Sequence, residues 1–147
     1  MNKLWVSIAA CAIAFSATPA GASGELVHRK LMVAAINDDW TRTALNLETG
    51  QLVVIMAQGT AKVRGYGDGV GPQGLDNGAG RLEGKIGQAQ PFLVGTSIAF
   101  YAKEEGPLKL RIKDSRYDDN MGGYEIDILV LKPVAIPAAT AVPTDSQ

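Results

Sequence analysis

Short runs in which apolar and polar residues alternate constrain the fold of this chain more than any other sequence feature. In the clearest run, residues 108–113, apolar side chains alternate with Lys109, Arg111 and Lys113. A period of two is typical of a half-buried strand, because successive side chains of a strand point to opposite faces. Turn residues separate such runs at short intervals, and no helical period follows residue 22. The sequence therefore predicts an all-β fold, an antiparallel sandwich or barrel of about eight strands.

The strand pattern divides the chain into strands, two long loops and a tail. Gly59 separates two of the predicted strands, and residues 63–80 form a loop with seven glycines, too many for a regular element. A loop of this length is usually functional or mobile. Residues 114–123 form an acidic loop, and residues 132–147, rich in Pro and Ala, are predicted to be a disordered tail or spacer. The predicted strands cover residues 30–36, 41–47, 52–57, 60–63, 81–86, 92–94, 97–102, 108–113 and 124–131.

The first 22 residues have the pattern of a secretory signal peptide. Lys3 precedes an apolar run at residues 4–15, and Ala20, Gly21 and Ala22 form a small-residue cleavage signal, so we expect cleavage before Ser23. The apolar run is shorter than the 20 or so residues of a membrane anchor. Residues 23–131 would then form the folded domain of a periplasmic or secreted protein.

Charge and cysteine usage exclude several classes of site. The one cysteine, Cys11, lies inside the predicted signal peptide, too early and too deep in the apolar run for lipidation. Without residues 1–22, the chain has no disulfide and no thiol nucleophile. It carries 13 Lys and Arg against 15 Asp and Glu, a net charge of −2. That balance gives no reason to expect nucleic acid or an anionic membrane as partner.

Enzyme motifs are absent. His28 is the one histidine, and we expect it at a frayed terminus; no G-x-S-x-G or H-E-x-x-H motif is present. Residues 69–74 match G-x-G-x-x-G, but the residues after them cannot open the helix that a dinucleotide site needs. A glycosidase needs only two carboxylates, so composition does not exclude one. We predict a protein that is not an enzyme.

The acidic loop has two interpretations. Asp114, Asp118 and Asp119 place three carboxylates within six residues, with Asn120 next. Such a loop can be a solvated turn, partly neutralised by neighbouring basic residues. It can also bind Ca²⁺, which prefers carboxylate, amide and carbonyl oxygens in a flexible loop. An EF-hand does not fit, because Arg116 stands at a ligand position and strands flank the loop.

At these loops the chain resembles the galactophilic calcium-dependent bacterial lectins (the PA-IL-like family). Their fold is a galactose-binding-domain-like β-sandwich of jelly-roll type. The resemblance covers most of residues 31–131, and its pieces occur in the same order with similar spacing. They are Asp39-Trp40-Thr41, residues 45–50, Gly71-Pro72-Gln73-Gly74, residues 81–87, residues 91–95, Ile112-Lys113-Asp114 and residues 119–124.

The resemblance implies a calcium site that also binds sugar hydroxyls. By position, the side-chain ligands would be Asp114, Asp119 and Asn120, with backbone carbonyls from Arg116 or Tyr117 and from near Val63 or Arg64. The His and Gln that hold the sugar in the galactose binder have no counterpart here. Gln73, Asp76 and Asn77 are the polar residues near those positions, and they would supply the other sugar contacts. The family also implies a homo-oligomer. Trp40, surrounded by apolar strands, is expected in the core rather than stacked on a sugar.

Two functions follow from these observations. The first is a periplasmic or secreted calcium-dependent protein that binds carbohydrate, of galactose type if the family's preference is kept. The second is a non-catalytic envelope or interaction domain on the same sandwich, with structural calcium or none and no affinity for sugar.

Overall fold

The described part of the chain consists of strands and turns. A computed structural model describes residues 24–63 and 67–133; the predicted signal peptide, Arg64 and most of the predicted tail lie outside these residues. No helix within the described ranges is long and apolar enough to cross a membrane. The strands are β1 (Leu26–Ala34), β2 (Thr41–Leu47), β3 (Leu52–Lys62), β4 (Leu82–Ile86), β5 (Phe92–Leu93), β6 (Ser97–Tyr101), β7 (Gly106–Ile112) and β8 (Met121–Leu131).

These strands form two four-stranded antiparallel sheets. The first, which we name the β8 sheet, has the order β1-β8-β3-β6, and the second, the β7 sheet, has the order β2-β7-β4-β5. The longest ladder joins β3 to β8, from Leu52 opposite Leu131 to Lys62 opposite Met121. The predicted all-β antiparallel sandwich is therefore confirmed.

The core lies between the two sheets and follows the alternation of the sequence. Leu108, Leu110 and Ile112 of β7 are fully buried, as are Ile126 and Ile128 of β8. Their neighbours along each strand are more exposed, as the period of two requires. Each sheet thus presents one apolar face to the core and one face to solvent.

In the β8 sheet, pairing extends strands β1, β3 and β8 beyond their predicted bounds. β1 begins at Leu26, so the expectation of a frayed His28 is wrong: His28 lies opposite Leu129, and its Nε2 is 2.7 Å from Asp127 Oδ1. β3 runs through Gly59 without a break. A Cβ on Gly59 would lie 2.9 Å from the Gly123 carbonyl oxygen, so the glycine permits close pairing instead of ending the strand.

β8 likewise begins earlier than predicted. Gly122 and Gly123 belong to the strand, where they pair with β3 and β1, and are not part of the preceding loop. Gly123 allows the chain to pass close to Val33, whose carbonyl oxygen would be 2.3 Å from an added Cβ. The acidic loop is accordingly shorter than expected, with Asn120 at its end.

Trp40 is not a core residue. It is half-buried, and its ring centroid lies 4.6 Å from Lys85 Nζ and 4.4 Å from Arg111 Cζ. Both cations are on the solvent side of the β7 sheet, so the indole packs on that outer face. A cation over an indole ring is attracted by the ring's electron density, which gives the residue a stable position outside the core.

Candidate functional site

The acidic loop between β7 and β8 is closed by hydrogen bonds through Tyr117. The Asp114 backbone N–H donates to the Tyr117 hydroxyl at 3.1 Å, and the Asn120 N–H donates to the Tyr117 carbonyl oxygen at 3.2 Å. The Asp114 carboxylate in turn accepts the Ser115 N–H at 2.7 Å. Tyr117 therefore connects the two ends of the loop, and Asp114 and Asn120 are held in one short turn.

The side-chain amide of Asn120 is buried at the end of this loop. Its side chain is 3% exposed, and its Nδ2 donates to the Ala35 carbonyl oxygen at 3.1 Å. This bond fixes the amide, and its Oδ1 is buried with no hydrogen-bond partner among the described residues. A buried acceptor without a partner is costly and rare, and a cation would satisfy it. Ca²⁺ takes amide oxygens as ligands, so Asn120 fits the predicted ligand set.

Asp118 is paired with its neighbour Arg116. Arg116 donates to its two carboxylate oxygens at 2.6 and 3.0 Å, a bidentate pair at the surface. The hydrogen bond from Arg116 lowers the pKa of Asp118 below its ordinary value. Asp119, the other predicted carboxylate ligand, is exposed at the tip of the loop. Both carboxylates are exposed, and they differ in that Asp118 is held by an ion pair with Arg116.

The C-terminal end of the glycine-rich loop lies beside the start of the acidic loop. The Gly80 N–H donates to the Lys113 carbonyl oxygen at 2.7 Å, one residue before Asp114. A small cavity of about 100 Å³ joins the two loops and is lined by Asn77, Gly78, Ala79, Lys113, Asp114 and Ser115. Of the predicted sugar contacts, Asn77 therefore shares a cavity with a predicted calcium ligand.

Tyr124 holds the glycine-rich loop to the sandwich, a role that the sequence did not reveal. Its hydroxyl oxygen lies 2.6, 2.9 and 3.1 Å from the carbonyl oxygens of Gly80, Gly71 and Val70. Burial raises the pKa of Tyr124 well above its ordinary value, so the hydroxyl keeps its proton and donates to one carbonyl at a time. The signal that could have indicated this role is a tyrosine in a predicted core strand, because a buried tyrosine usually finds a partner for its hydroxyl.

The other predicted site residues are placed less favourably. Gln73 Nε2 donates to Thr96 Oγ1 at 3.2 Å, toward the turn before β6, and Gln73 does not line the shared cavity. Asp76 is exposed in the glycine-rich loop, and Asn77 Oδ1 already accepts the Ala79 N–H at 3.0 Å. Arg64 lies outside the described residues. The structure thus places Asp114 in one cavity with Asn77 and in one turn with Asn120, whereas Gln73 contacts Thr96 instead.

Carboxylates and imidazoles alone do not form a metal site here. Within residues 24–63 and 67–133, no group of three or more His, Cys, Asp or Glu side chains is arranged to hold a metal. A cation at the acidic loop would need amide and backbone oxygens as well as the Asp114 and Asp119 carboxylates. That donor set suits Ca²⁺ and not a transition metal.

A larger cavity, of about 660 Å³, lies at the opposite end of the sandwich. Ile86, Phe92 and Phe100 give it an apolar floor, and Gln88, Gln90, Lys103, Glu104 and Glu105 form its polar rim. The two phenyl rings meet edge to face with centroids 5.1 Å apart. None of the predicted site residues lines it.

Comparison with known proteins agrees with this fold. A solved structure described as "EclA N-terminal domain; PllA-like lectin" matches with a TM-score of 0.62 and 24% sequence identity. The match covers 71% of this chain and 97% of that one. At this identity the likeness shows the fold alone, a β-sandwich. No protein-family model and no curated protein sequence matches the chain.

Proposed function

We propose that this chain is an exported protein that binds carbohydrate through calcium at the acidic loop. The observation that carries the proposal is the buried Asn120 Oδ1, an oxygen without a hydrogen-bond partner among the described residues, in the same turn as Asp114. The lectin-like sandwich and the adjoining glycine-rich loop support it.

In this proposal Asp114, Asp119 and Asn120 hold the cation with backbone oxygens of the neighbouring loops. Bound calcium accepts sugar hydroxyl oxygens as additional ligands, which selects sugars with suitably oriented hydroxyl groups. Asn77, with Asp76 beside it, contributes hydrogen bonds to the sugar from the rim of the shared cavity. The Arg116–Asp118 pair stays outside the shell, because each group already satisfies the other. Galactose preference and assembly into a homo-oligomer remain part of the proposal as implied by the family resemblance.

A glycan array probed with the purified chain tests this function. We expect binding to a defined set of neutral glycans in millimolar Ca²⁺, and its loss in EDTA. Asp114→Asn should abolish the binding, because it removes a charged ligand while keeping the side chain's size. Asp118→Asn is the matched control and should bind as the unaltered protein does.

Two outcomes contradict the proposal. Glycan binding that persists in EDTA would place the sugar elsewhere on the molecule. No binding to any glycan, with an unchanged melting temperature in Ca²⁺, would favour the alternative, an envelope or interaction domain without affinity for sugar.

A further inference from the structure

The outer face of the β7 sheet carries a row of three cations. Arg42 of β2 is the cross-strand partner of Lys109 in β7, and Lys109 is also the partner of Lys85 in β4. Neighbouring strands are about 4.8 Å apart, so the row spans about 10 Å. None of the three forms a salt bridge with another described residue. Like charges directly opposite each other destabilise a sheet, so an anion bound here would remove a native repulsion.

The nearest carboxylate cannot neutralise this row. Glu83, opposite Arg111, is 4% exposed, and its oxygens lie 2.8 Å from Arg81, 3.2 Å from Arg111 and 3.8 Å from Lys113. Three cations already surround it. Strands β2, β4 and β7 themselves hold four basic residues and one carboxylate, although the whole chain has a net charge of −1. The basic residues are Arg42, Lys85, Lys109 and Arg111; the directly flanking positions add Arg81 and Lys113, and also Glu48 and Glu105.

A cleft opens at one end of the row, where β2 is bulged. Pairing shifts between Arg42 and Asn46, so that two extra residues of β2 stand opposite Leu108, and Ala44 adopts a φ of 62°. Buried Thr43 secures the bulge by donating from Oγ1 to the Leu108 carbonyl oxygen at 2.8 Å. Bulges of this kind re-aim side chains and are common beside functional sites.

The cleft has the lining of a sugar subsite with an anionic substituent. Its volume is about 300 Å³, with Arg42 and Lys109 supplying charge, Asn46 an amide, and Leu45 and Pro107 apolar surface. A pyranose ring fits such a mixture, and a carboxylate on the ring would lie near both cations. A lipid bilayer offers a broad plane that would leave the cleft unfilled. Single-stranded nucleic acid would need aromatic platforms, and no aromatic residue lines the cleft.

We propose that the outer face of the β7 sheet binds an acidic polysaccharide, a polymer with a carboxylate on each sugar unit. One uronate ring lies in the cleft with its carboxylate between Arg42 and Lys109, and the next carboxylate reaches Lys85. This face requires no calcium and is separate from the acidic loop, so it stands or falls independently of the function proposed above.

Titration of the full chain with polygalacturonate in EDTA tests the proposal. The variant replaces the row by Arg42→Gln, Lys85→Gln and Lys109→Gln. The matched control, Arg29→Gln with Lys62→Gln and Lys103→Gln, removes the same charges from exposed positions elsewhere. We expect the row variant to bind about tenfold more weakly or worse, and the control to stay within about twofold, since exposed ion pairs each contribute modestly. Arg42→Gln alone, at an exposed position, should already weaken binding about threefold.

The following results would overturn the proposal. Equal losses in the row variant and its control would show non-specific attraction to a polyanion. Tighter binding to single-stranded DNA or to phosphatidylglycerol vesicles than to polygalacturonate, at matched ionic strength, would assign the face to another class of partner. Absence of binding at 0.15 M salt would mean that screening at physiological ionic strength removes the attraction, and it would exclude a role for the face.

Discussion

The Tyr124 hydroxyl lies 2.6 Å from the carbonyl oxygen of Gly80, the residue at which the glycine-rich loop enters β4. Tyr124 belongs to β8, so this contact fastens the loop to the opposite sheet. Asn77 to Ala79 line the shared cavity. Their position is fixed by this contact and by the hydrogen bond from the Gly80 N–H to the Lys113 carbonyl oxygen. One buried tyrosine thus positions one wall of the candidate site.

Tyr124→Phe should destabilise the protein by about 1–3 kcal/mol, since the Gly80 carbonyl would lose its donor inside the core. The free energy of unfolding from urea denaturation measures the effect. Tyr101→Phe is the control, because Tyr101 is 67% exposed and its hydroxyl can bond to water. A loss of stability no greater than that of the control would show that the hydroxyl is not needed to hold the loop.

Calcium should raise the melting temperature by several degrees. A ligand that binds only the folded state stabilises it by about 2.7 kcal/mol at a hundredfold excess over Kd, which is several degrees for a domain of this size. Magnesium should do less, because it demands a tighter octahedral shell. Melting curves in EDTA, Mg²⁺ and Ca²⁺ at fixed ionic strength make the comparison.

Variants locate that effect within the acidic loop. Asp114→Asn and Asp119→Ala should abolish the calcium shift, whereas Asp118→Ala should retain it, because Asp118 is paired with Arg116. A shift that survives in both of the first two variants would place calcium at a different site, and a shift lost in Asp118→Ala would contradict the assignment of ligands.

The sandwich could be predicted from the sequence because alternation reports directly which face of a strand is buried. Leu108, Leu110 and Ile112 are inward as the pattern indicated. Strand ends were predicted less well. His28 was expected at a frayed terminus and Gly59 between two strands, yet both pair with β8. A local pattern cannot show a partner strand 60 to 100 residues away that supplies the hydrogen bonds.

The candidate sites depend even more on such distant pairing. Asp114 and Asn120 are close in sequence and could be proposed together, but the approach of Asn77 and the bond from Asn120 to Ala35 depend on the fold. The row of cations was harder to foresee. Lys109 was recognised as a solvent-facing residue, whereas only the register of β2 and β4 places Arg42 and Lys85 on either side of it.

Asp127 should give the fold a dependence on acid pH. Hydrogen bonds from His28 and then Lys30 lower the pKa of Asp127 below its ordinary value. Because the folded-state pKa is depressed, this stabilisation is present above about pH 4 and is lost as the pH falls through the folded-state pKa. Asp127→Asn should therefore lower the urea midpoint at pH 6 and change it little at pH 2.5. Asp38→Asn, in the exposed β1–β2 turn, is the control and should show no such difference; equal effects at both pH values would refute the linkage.

Trp40 should report binding at the basic face. After removal of residues 1–22 it is the one tryptophan of the chain, and it contacts Lys85 and Arg111. Polygalacturonate drawn to Lys85 would alter the cation's position over the ring and thereby the indole fluorescence. Calcium alone should change the emission less than the polymer does, because the two cations over the ring, Lys85 and Arg111, are not among the proposed calcium ligands. A calcium response equal to that of the polymer would mean that the signal does not distinguish the two sites.

Lys109→Glu should separate stability from binding at this face. Lys109 lies between Arg42 and Lys85, so a glutamate there converts two like-charge pairs into two opposite-charge pairs. Each cross-strand pair contributes about 0.2–1 kcal/mol, and the variant should unfold at a higher urea concentration than the unaltered protein. Polygalacturonate binding should fall at the same time, because the central cation is gone. Lys103→Glu, exposed after β6, is the control and should change neither property appreciably. If Lys109→Glu lowered stability, the three cations would not repel one another in the native state, and the physical reason for a bound anion would be removed.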